Sequence, residues 1–229
     1  MKIMYLAEDY FRKNNIRSKA NIMYETPKTS LFDVQKYNKE LEKISEERDI
    51  NVDYHYNLIE IDGENKNAVF ENVETGDRKT LRYEMLHVTP PMGPLDVLKE
   101  STLSDSDGWV DIDPTTLQHK NFSNVFALGD ASNAPTSKTG AAIRKQAPTV
   151  VNNLLQVINS EMLTHHYDGY TSCPIVTGYN RLILAEFDYN KKTKETMPFN
   201  QAKERRSMYI FKKDLLPKMY WYGMLKGLM

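Results

Sequence analysis

The stretch Asn124 to Gln146, NVFALGDASNAPTSKTGAAIRKQ, constrains this chain more than any other: an apolar run, a Gly-Asp turn, and a Ser/Thr-rich entry into an Ala-rich helix. Val125, Phe126, Ala127 and Leu128 are expected to form a buried strand. Gly129 lets the backbone approach a neighbour closely, and Asp130 sets a carboxylate at the strand's carboxyl end. Thr136 or Ser137 is expected to cap the helix holding Ala141, Ala142 and Ile143, so that its positive end faces the turn. Such a carboxylate suits sugar hydroxyls, and the helix end suits an electron-rich group. An ordinary strand-turn-helix whose Asp caps the helix fits the same residues.

The flanking chain supplies a context for that turn. Ile3, Met4, Leu6, Ala7, Tyr10 and Phe11 recur at the spacing of one helix face. A short strand is expected from Ala20 to Tyr24. A helix is expected from Leu31 to Arg48 with Leu31, Val34, Tyr37, Leu41 and Ile44 inward, and a strand from Val52 to Ile61. Helix, strand, helix, strand is the order of a doubly wound α/β unit without its first strand and turn. The runs Asn67 to Val73 and Lys79 to Val88 read as a hairpin, and the prolines of Thr89 to Pro94 as a stiff domain boundary. After the Gly-Asp turn, a helix is expected to run to about Ser160 with Pro148 kinking or splitting it. Tyr170 to Pro174 reads as a loop, and Ile175 to Val176 and Leu182 to Phe187 as strands.

The tail from Arg206 to Met229 mixes Met208, Ile210, Phe211, Leu215, Trp221 and Leu225 with Lys212, Lys213, Lys218 and Lys226, and Pro217 divides it. Two short helices of this kind suit either an interfacial membrane anchor or a pair packed on the protein's own core.

Composition removes several classes of function. With 30 basic and 31 acidic residues the net charge is -1, which leaves no global footprint for nucleic acid. One cysteine, Cys173, excludes an internal disulfide framework. No run approaches the roughly 20 apolar residues of a membrane-spanning helix. Glu8 and Asp9 make the first residues unlike an organellar transit peptide, so no targeting signal is visible. His165 and His166 are adjacent and point apart, and no His/Cys cluster accompanies them, so no metal site is expected. A lone thiol such as Cys173 is most often inert, and lysines such as Lys138 and Lys145 are usually solvated, although beside an electron-accepting ligand either lysine can stabilise negative charge. No glycine-rich phosphate loop occurs in the chain.

The turn resembles the second flavin-binding motif of the two-dinucleotide-binding-domain flavoproteins, in which Asp contacts the ribitol of FAD. Longer blocks extend the resemblance: KIMYL at Lys2 to Leu6, RSKANI at Arg17 to Ile22, YEMLHVTPP at Tyr83 to Pro91, Gly108 to Asp111, Val125 to Thr139, and YDGYTSCPIVTGYNRLILAEFDY at Tyr167 to Tyr189. Together they are similar to the animal mitochondrial sulfide:quinone oxidoreductase family, in its C-terminal portion.

The resemblance implies an α/β fold: a partial tandem Rossmann-like, FAD/NAD(P)-binding flavoprotein fold with a C-terminal amphipathic helical tail. It divides the chain into a second dinucleotide-binding-like domain with a small antiparallel insertion (residues 1–92), the C-terminal part of the FAD-binding domain with the redox-cysteine region (93–205), and a membrane-associated tail (206–229). It implies oxidation of hydrogen sulfide through a cysteine persulfide and FAD, a small sulfur acceptor, and ubiquinone as electron acceptor. The implied location is peripheral, on the mitochondrial inner membrane. By the same resemblance Cys173 matches the C-terminal member of the redox pair, Gly129 and Asp130 the flavin-contacting turn, and Lys138 the lysine near the flavin and quinone. The family's glycine-rich loop and other redox cysteine lie upstream of the matched segment and are not in this chain. Cys173 therefore cannot complete thiol exchange alone. The alternative is a non-catalytic remnant acting at a membrane surface or on a partner protein.

Overall fold

Unit 1 is formed by Met1–Pro90, Ile175–Ile183 and Ala202–Tyr209. The computed structural model describes residues 1–228. Helix α1 spans Lys2–Lys13, strand β1 Ile22–Thr26, helix α2 Gln35–Glu47 and strand β2 Ile50–Tyr54. β1 and β2 pair in parallel, Ile22 opposite Ile50 and Thr26 opposite Tyr54. The helix expected from Leu31 begins only at Gln35, yet all of Leu31, Val34, Tyr37, Leu41 and Ile44 are buried. Tyr5 crosses from α1, its hydroxyl 2.9 Å from the Leu41 carbonyl and 3.0 Å from Ser45 Oγ, and burial pushes its pKa up to about 12.

α1 turns a different face inward from the one its apolar spacing suggests. Met4, Tyr5, Glu8 and Asp9 are buried, whereas Ile3 and Tyr10 are exposed. Pairing is what admits the two carboxylates. Arg12 Nε donates to Glu8 at 3.1 Å, and Asp9 accepts from Lys13 Nζ at 2.7 Å and from the Tyr179 amide at 2.8 Å. Burial works against ionisation of Asp9, but these donors outweigh it and hold the pKa below the ordinary value.

The expected strand Val52 to Ile61 is two strands in different sheets. His55 has φ +67°, a left-handed conformation that ends β2. β3 (Tyr56–Asp62) then pairs antiparallel with β4 (Asn67–Asn72), which pairs with β5 (Arg78–Arg82), giving the expected hairpin a third strand.

Unit 2 comprises Pro91–Pro174, Leu184–Gln201 and Ile210–Met229. It holds the one-turn helix α3 (Asp96–Lys99) and the long helix α4 (Gly140–Ile158), around a core of Val110, Ile112, Leu117, Ala134, Tyr167 and Tyr170. The expected strand at Val125 to Leu128 does not form. The segment only bridges Gln118 through Phe126, with hydrogen bonds from His119 N to Val125 O and from Ala127 N to Leu117 O. A buried strand needs partners along its length, and a short bend is all that pairs with this one. α4 is not split by Pro148.

β6 (Thr171–Gly178) and β7 (Arg181–Phe187) form a two-stranded sheet whose residues are divided between the units. Cys173 therefore lies on a strand, not in the expected loop, and Pro174 is tolerated because a two-stranded sheet has only edge strands. Buried Glu186 on β7 accepts from Thr196 N at 2.7 Å, from Gln201 Nε2 at 2.8 Å and from the Tyr170 hydroxyl. Burial, reinforced by that carboxylate, raises the Tyr170 pKa.

The tail forms one helical run instead of two separate helices: α5 (Arg206–Ile210), a π-helical turn (Phe211–Leu215) and α6 (Leu216–Tyr222). Pro217 lacks an N–H and its ring crowds the carbonyl four residues back, and the wider turn just before it relieves both. Among the described residues no helix is long and apolar enough to cross a membrane.

Candidate functional site

The Gly-Asp turn is a 3-10 turn, Gly129–Ala131. Gly129 has φ +64°, and a Cβ added there would stand 3.0 Å from Cδ1 and Cγ1 of Ile143 on α4, so both backbone and packing require glycine. Its amide donates to Gln146 Oε1 at 2.8 Å within the interior, and its carbonyl accepts from Ser132 Oγ at 3.1 Å. α4 thus fixes the turn through a buried amide side chain as well as through Ile143.

Asp130 extends its carboxylate into solvent. Its backbone carbonyl accepts from Lys138 Nζ at 2.9 Å, and Lys138 also donates to the Ser132 carbonyl at 2.6 Å. The ammonium lies 3.8 Å from the centre of the Trp109 ring, within cation–π range. Burial depresses the Lys138 pKa, while the charges of Asp130 and Asp105 counter that shift. Lysine is therefore a structural clasp of the turn as well as a local positive charge.

The cap of α4 is Thr139 in place of Thr136 or Ser137: its Oγ1 accepts from Ala142 N at 3.1 Å. Extended backbone at Thr139 puts its hydroxyl, and not those of the two earlier residues, over the first turn. The same hydroxyl lies 2.9 Å from Thr171 Oγ1, which donates to the Ser137 carbonyl at 3.2 Å. Thr171 opens β6, two residues before Cys173. The half-buried Cys173 thiol is thereby carried on a strand tied to the residues on either side of Lys138, and it forms no disulfide among the described residues.

Of the four residues singled out by sequence, Gly129, Asp130 and Lys138 are joined by direct bonds, and the Cys173 strand is tied to them through Thr171. Trp109, Gln146, Thr139 and Thr171 complete the arrangement. Trp109 lies in a block already conspicuous in the sequence. Gln146 gave a misleading signal, since a polar residue in a helix reads as solvent-facing, yet it is buried. Lys145 stands apart, 6.0 Å from the Tyr170 ring.

No model of a known protein family matches the chain. Curated relatives match it throughout. The mitochondrial sulfide:quinone oxidoreductase of Mus musculus is 51% identical over 227 residues, covering 99% of this chain and 50% of the relative. The protein of the same name from Dictyostelium discoideum is 48% identical, with the same coverage on both sides. The chain spans about half the length of the curated relatives it matches.

Solved structures bear on the fold alone. A chain in the cryo-EM structure of the Tetrahymena thermophila mitochondrial ATP synthase superposes with TM-score 0.79 at 23% identity, over 94% of this chain and 54% of that one. NDH2 of Plasmodium falciparum, solved in complex with NADH, superposes with TM-score 0.54 at 12% identity, over 95% and 62%. The fold is thus the mixed α/β fold that these structures share. The chain is homologous over its whole length to the mitochondrial sulfide:quinone oxidoreductases, a family of flavoprotein oxidoreductases, and corresponds to a C-terminal portion of their sequence.

Proposed function

We propose that this chain carries the flavin-facing and sulfur-handling part of a sulfide:quinone oxidoreductase, oxidising hydrogen sulfide through a cysteine persulfide and FAD to reduce ubiquinone. The reading is carried by the junction at Lys138. The lysine clasps the Gly129-Asp130 turn, and the Cys173 strand is tied to the residues beside it, in a chain 51% identical to a sulfide:quinone oxidoreductase over 99% of its length.

The residues fit the polar end of a flavin. The Asp130 carboxylate is exposed and accepts no hydrogen bond among the described residues, which leaves both oxygens for ribitol hydroxyls. Thr136 Oγ1 is buried in the loop between that turn and α4 without a hydrogen-bond partner among the described residues. Bound FAD supplies the two-electron carrier between sulfur and quinone.

Cys173 acts as one member of a bridged cysteine pair, and its partner comes from outside this chain, which has a single cysteine. Hydrosulfide attacks one sulfur of the bridge; the bridge breaks, one cysteine keeps the new sulfur as a persulfide, and the other leaves as a thiolate whose electron pair bound FAD would accept. A small sulfur acceptor removes the outer sulfur. Lys138 holds positive charge beside the site of reduction, where negative charge accumulates. The exposed Tyr220, Trp221, Tyr222 and Leu225, with Lys218 and Lys226 among them, rest the tail on the inner mitochondrial membrane, from which the quinone enters.

Joined to the half of the mouse relative that it does not match, the chain is expected to reduce a soluble ubiquinone analogue with sulfide. Cys173→Ser should lower that rate roughly a thousandfold, and Lys138→Met on the order of tenfold with the fold intact. Activity retained by Cys173→Ser removes the role assigned to the thiol. A second reading is a non-catalytic protein acting at a membrane surface or on a partner; flavin absorbance with sulfide-dependent quinone reduction by the chain alone would eliminate it.

A further inference from the structure

A cleft of about 640 Å³ opens in unit 1 where α1 and α2 end. Arg12, Arg17, Arg48 and Arg181 line it together with Glu8, Glu47, Asp49 and Glu204, and Ser18 is its one uncharged residue. With no aliphatic or aromatic residue in its walls it offers nothing to a base or an acyl chain, so it suits a small and wholly polar occupant.

The charges do not all meet partners within the protein. Arg48 is occupied: it donates to the Thr177 carbonyl and, at 2.6 Å, to Glu204 Oε1. Arg17 gives Nη1 to the Ala20 carbonyl at 2.5 Å and Nη2 to the Arg48 carbonyl at 2.9 Å, but its buried Nε has no hydrogen-bond partner among the described residues. The Arg181 guanidinium stands 3.9 Å from Glu204 and makes no hydrogen bond among the described residues. One acceptor is left over as well. Glu8 Oε2, on a side chain 1% exposed, has no hydrogen-bond partner, and Arg48 Nη1 is 3.9 Å away. Glu47 and Asp49 answer little of this, because their side chains are 61% and 96% exposed to solvent. A buried donor and a buried acceptor left over in one cleft call for a ligand that both accepts a hydrogen bond and gives one.

We propose that this cleft binds a small oxyanion that keeps a proton, with inorganic phosphate as its ligand. The phosphate oxygens accept from Arg17 Nε and from the fork of Arg181, whose planar geometry matches them. The remaining phosphate O–H donates to Glu8 Oε2. At neutral pH phosphate carries that proton and sulfate carries none, so the Glu8 oxygen that accepts from the first anion repels the second. A phosphodiester lacks the proton too, which excludes the backbone of a nucleic acid and a diester lipid headgroup by the same atom.

Equilibrium dialysis of the 229-residue chain against radiolabelled phosphate or sulfate, at neutral pH and low ionic strength, tests this. Phosphate should bind saturably, and sulfate at least about tenfold more weakly, the cost of leaving Glu8 without its donor. Arg181→Gln should weaken phosphate binding about tenfold with the melting temperature unchanged, since that guanidinium makes no hydrogen bond within the described residues. Glu8→Gln replaces the carboxylate with an amide that can donate, and should bring sulfate within about threefold of phosphate. Where that buried substitution unfolds the chain, the wild-type preference and Arg181→Gln decide. Absence of saturable phosphate binding overturns the proposal and leaves these charges as a brace between α1 and α2. Sulfate bound as tightly as phosphate, or phosphate binding untouched by Arg181→Gln, overturns it equally.

Discussion

Single residues decide the shape of the candidate site. Gly129 was legible in the sequence, because a Gly-Asp pair after an apolar run marks a close approach, and the left-handed φ and the 3.0 Å approach of Ile143 account for it. Gly129→Ala is expected to cost about 1–2 kcal/mol, read as a lower urea midpoint, and Ile143→Val should recover the steric share. Gln146 was illegible: nothing in a sequence distinguishes a solvated glutamine from one that accepts a buried amide. Gln146→Leu leaves the Gly129 N–H unpaired and should cost roughly 1–3 kcal/mol, more than Gln146→Glu at low pH, where the glutamic acid can still accept. Asp113 is a further case. Burial opposes its ionisation, but hydrogen bonds from Thr115 and Thr116 prevail and pull the pKa down to about 2 from 3.8. Its stabilisation is complete above the unfolded value and is lost as pH falls through about 2. Asp113→Ala should therefore lower thermal stability at neutral pH and flatten its fall between those two values.

Elements were legible where their periodicity was not shared with another force. The α2 stripe was readable because Tyr37, Leu41 and Ile44 bury together with Leu31 and Val34 of the segment just before the helix. The α1 face was not, because Arg12, Lys13 and the Tyr179 amide pair with Glu8 and Asp9 in the interior, and those partners come from charge pairing and distant chain. One left-handed residue, His55, moved β3 into another sheet, a change to which hydrophobic alternation is blind. The cap shifted from Thr136 or Ser137 to Thr139 because a run of hydroxyl residues offers several caps and backbone conformation selects one. Thr139→Ala should cost about 1 kcal/mol for the cap, and more than Thr139→Ser, since it also severs the link to Thr171. Amide exchange at Ala142 should report the first loss, and exchange at Ser172 and Cys173 the second.

At the level of the molecule, the flavoprotein fold was readable from ordered blocks spread along the chain, and both units are discontinuous in sequence. Unit 1 needs Ile175–Ile183 and Ala202–Tyr209 in addition to Met1–Pro90. A fragment ending at Pro90 is therefore expected to stay largely unfolded, seen as poor amide dispersion in NMR and rapid proteolysis, although it contains α1, α2 and five strands. The β6–β7 pair, whose residues serve both units, also sets a schedule for synthesis. A ribosome working from the N-terminus releases α1 and α2 early, but neither unit can close until the hairpin has emerged, and unit 1 waits for residue 209. The two helices must remain open to chaperones until then, and slow codons before residue 90 would gain nothing.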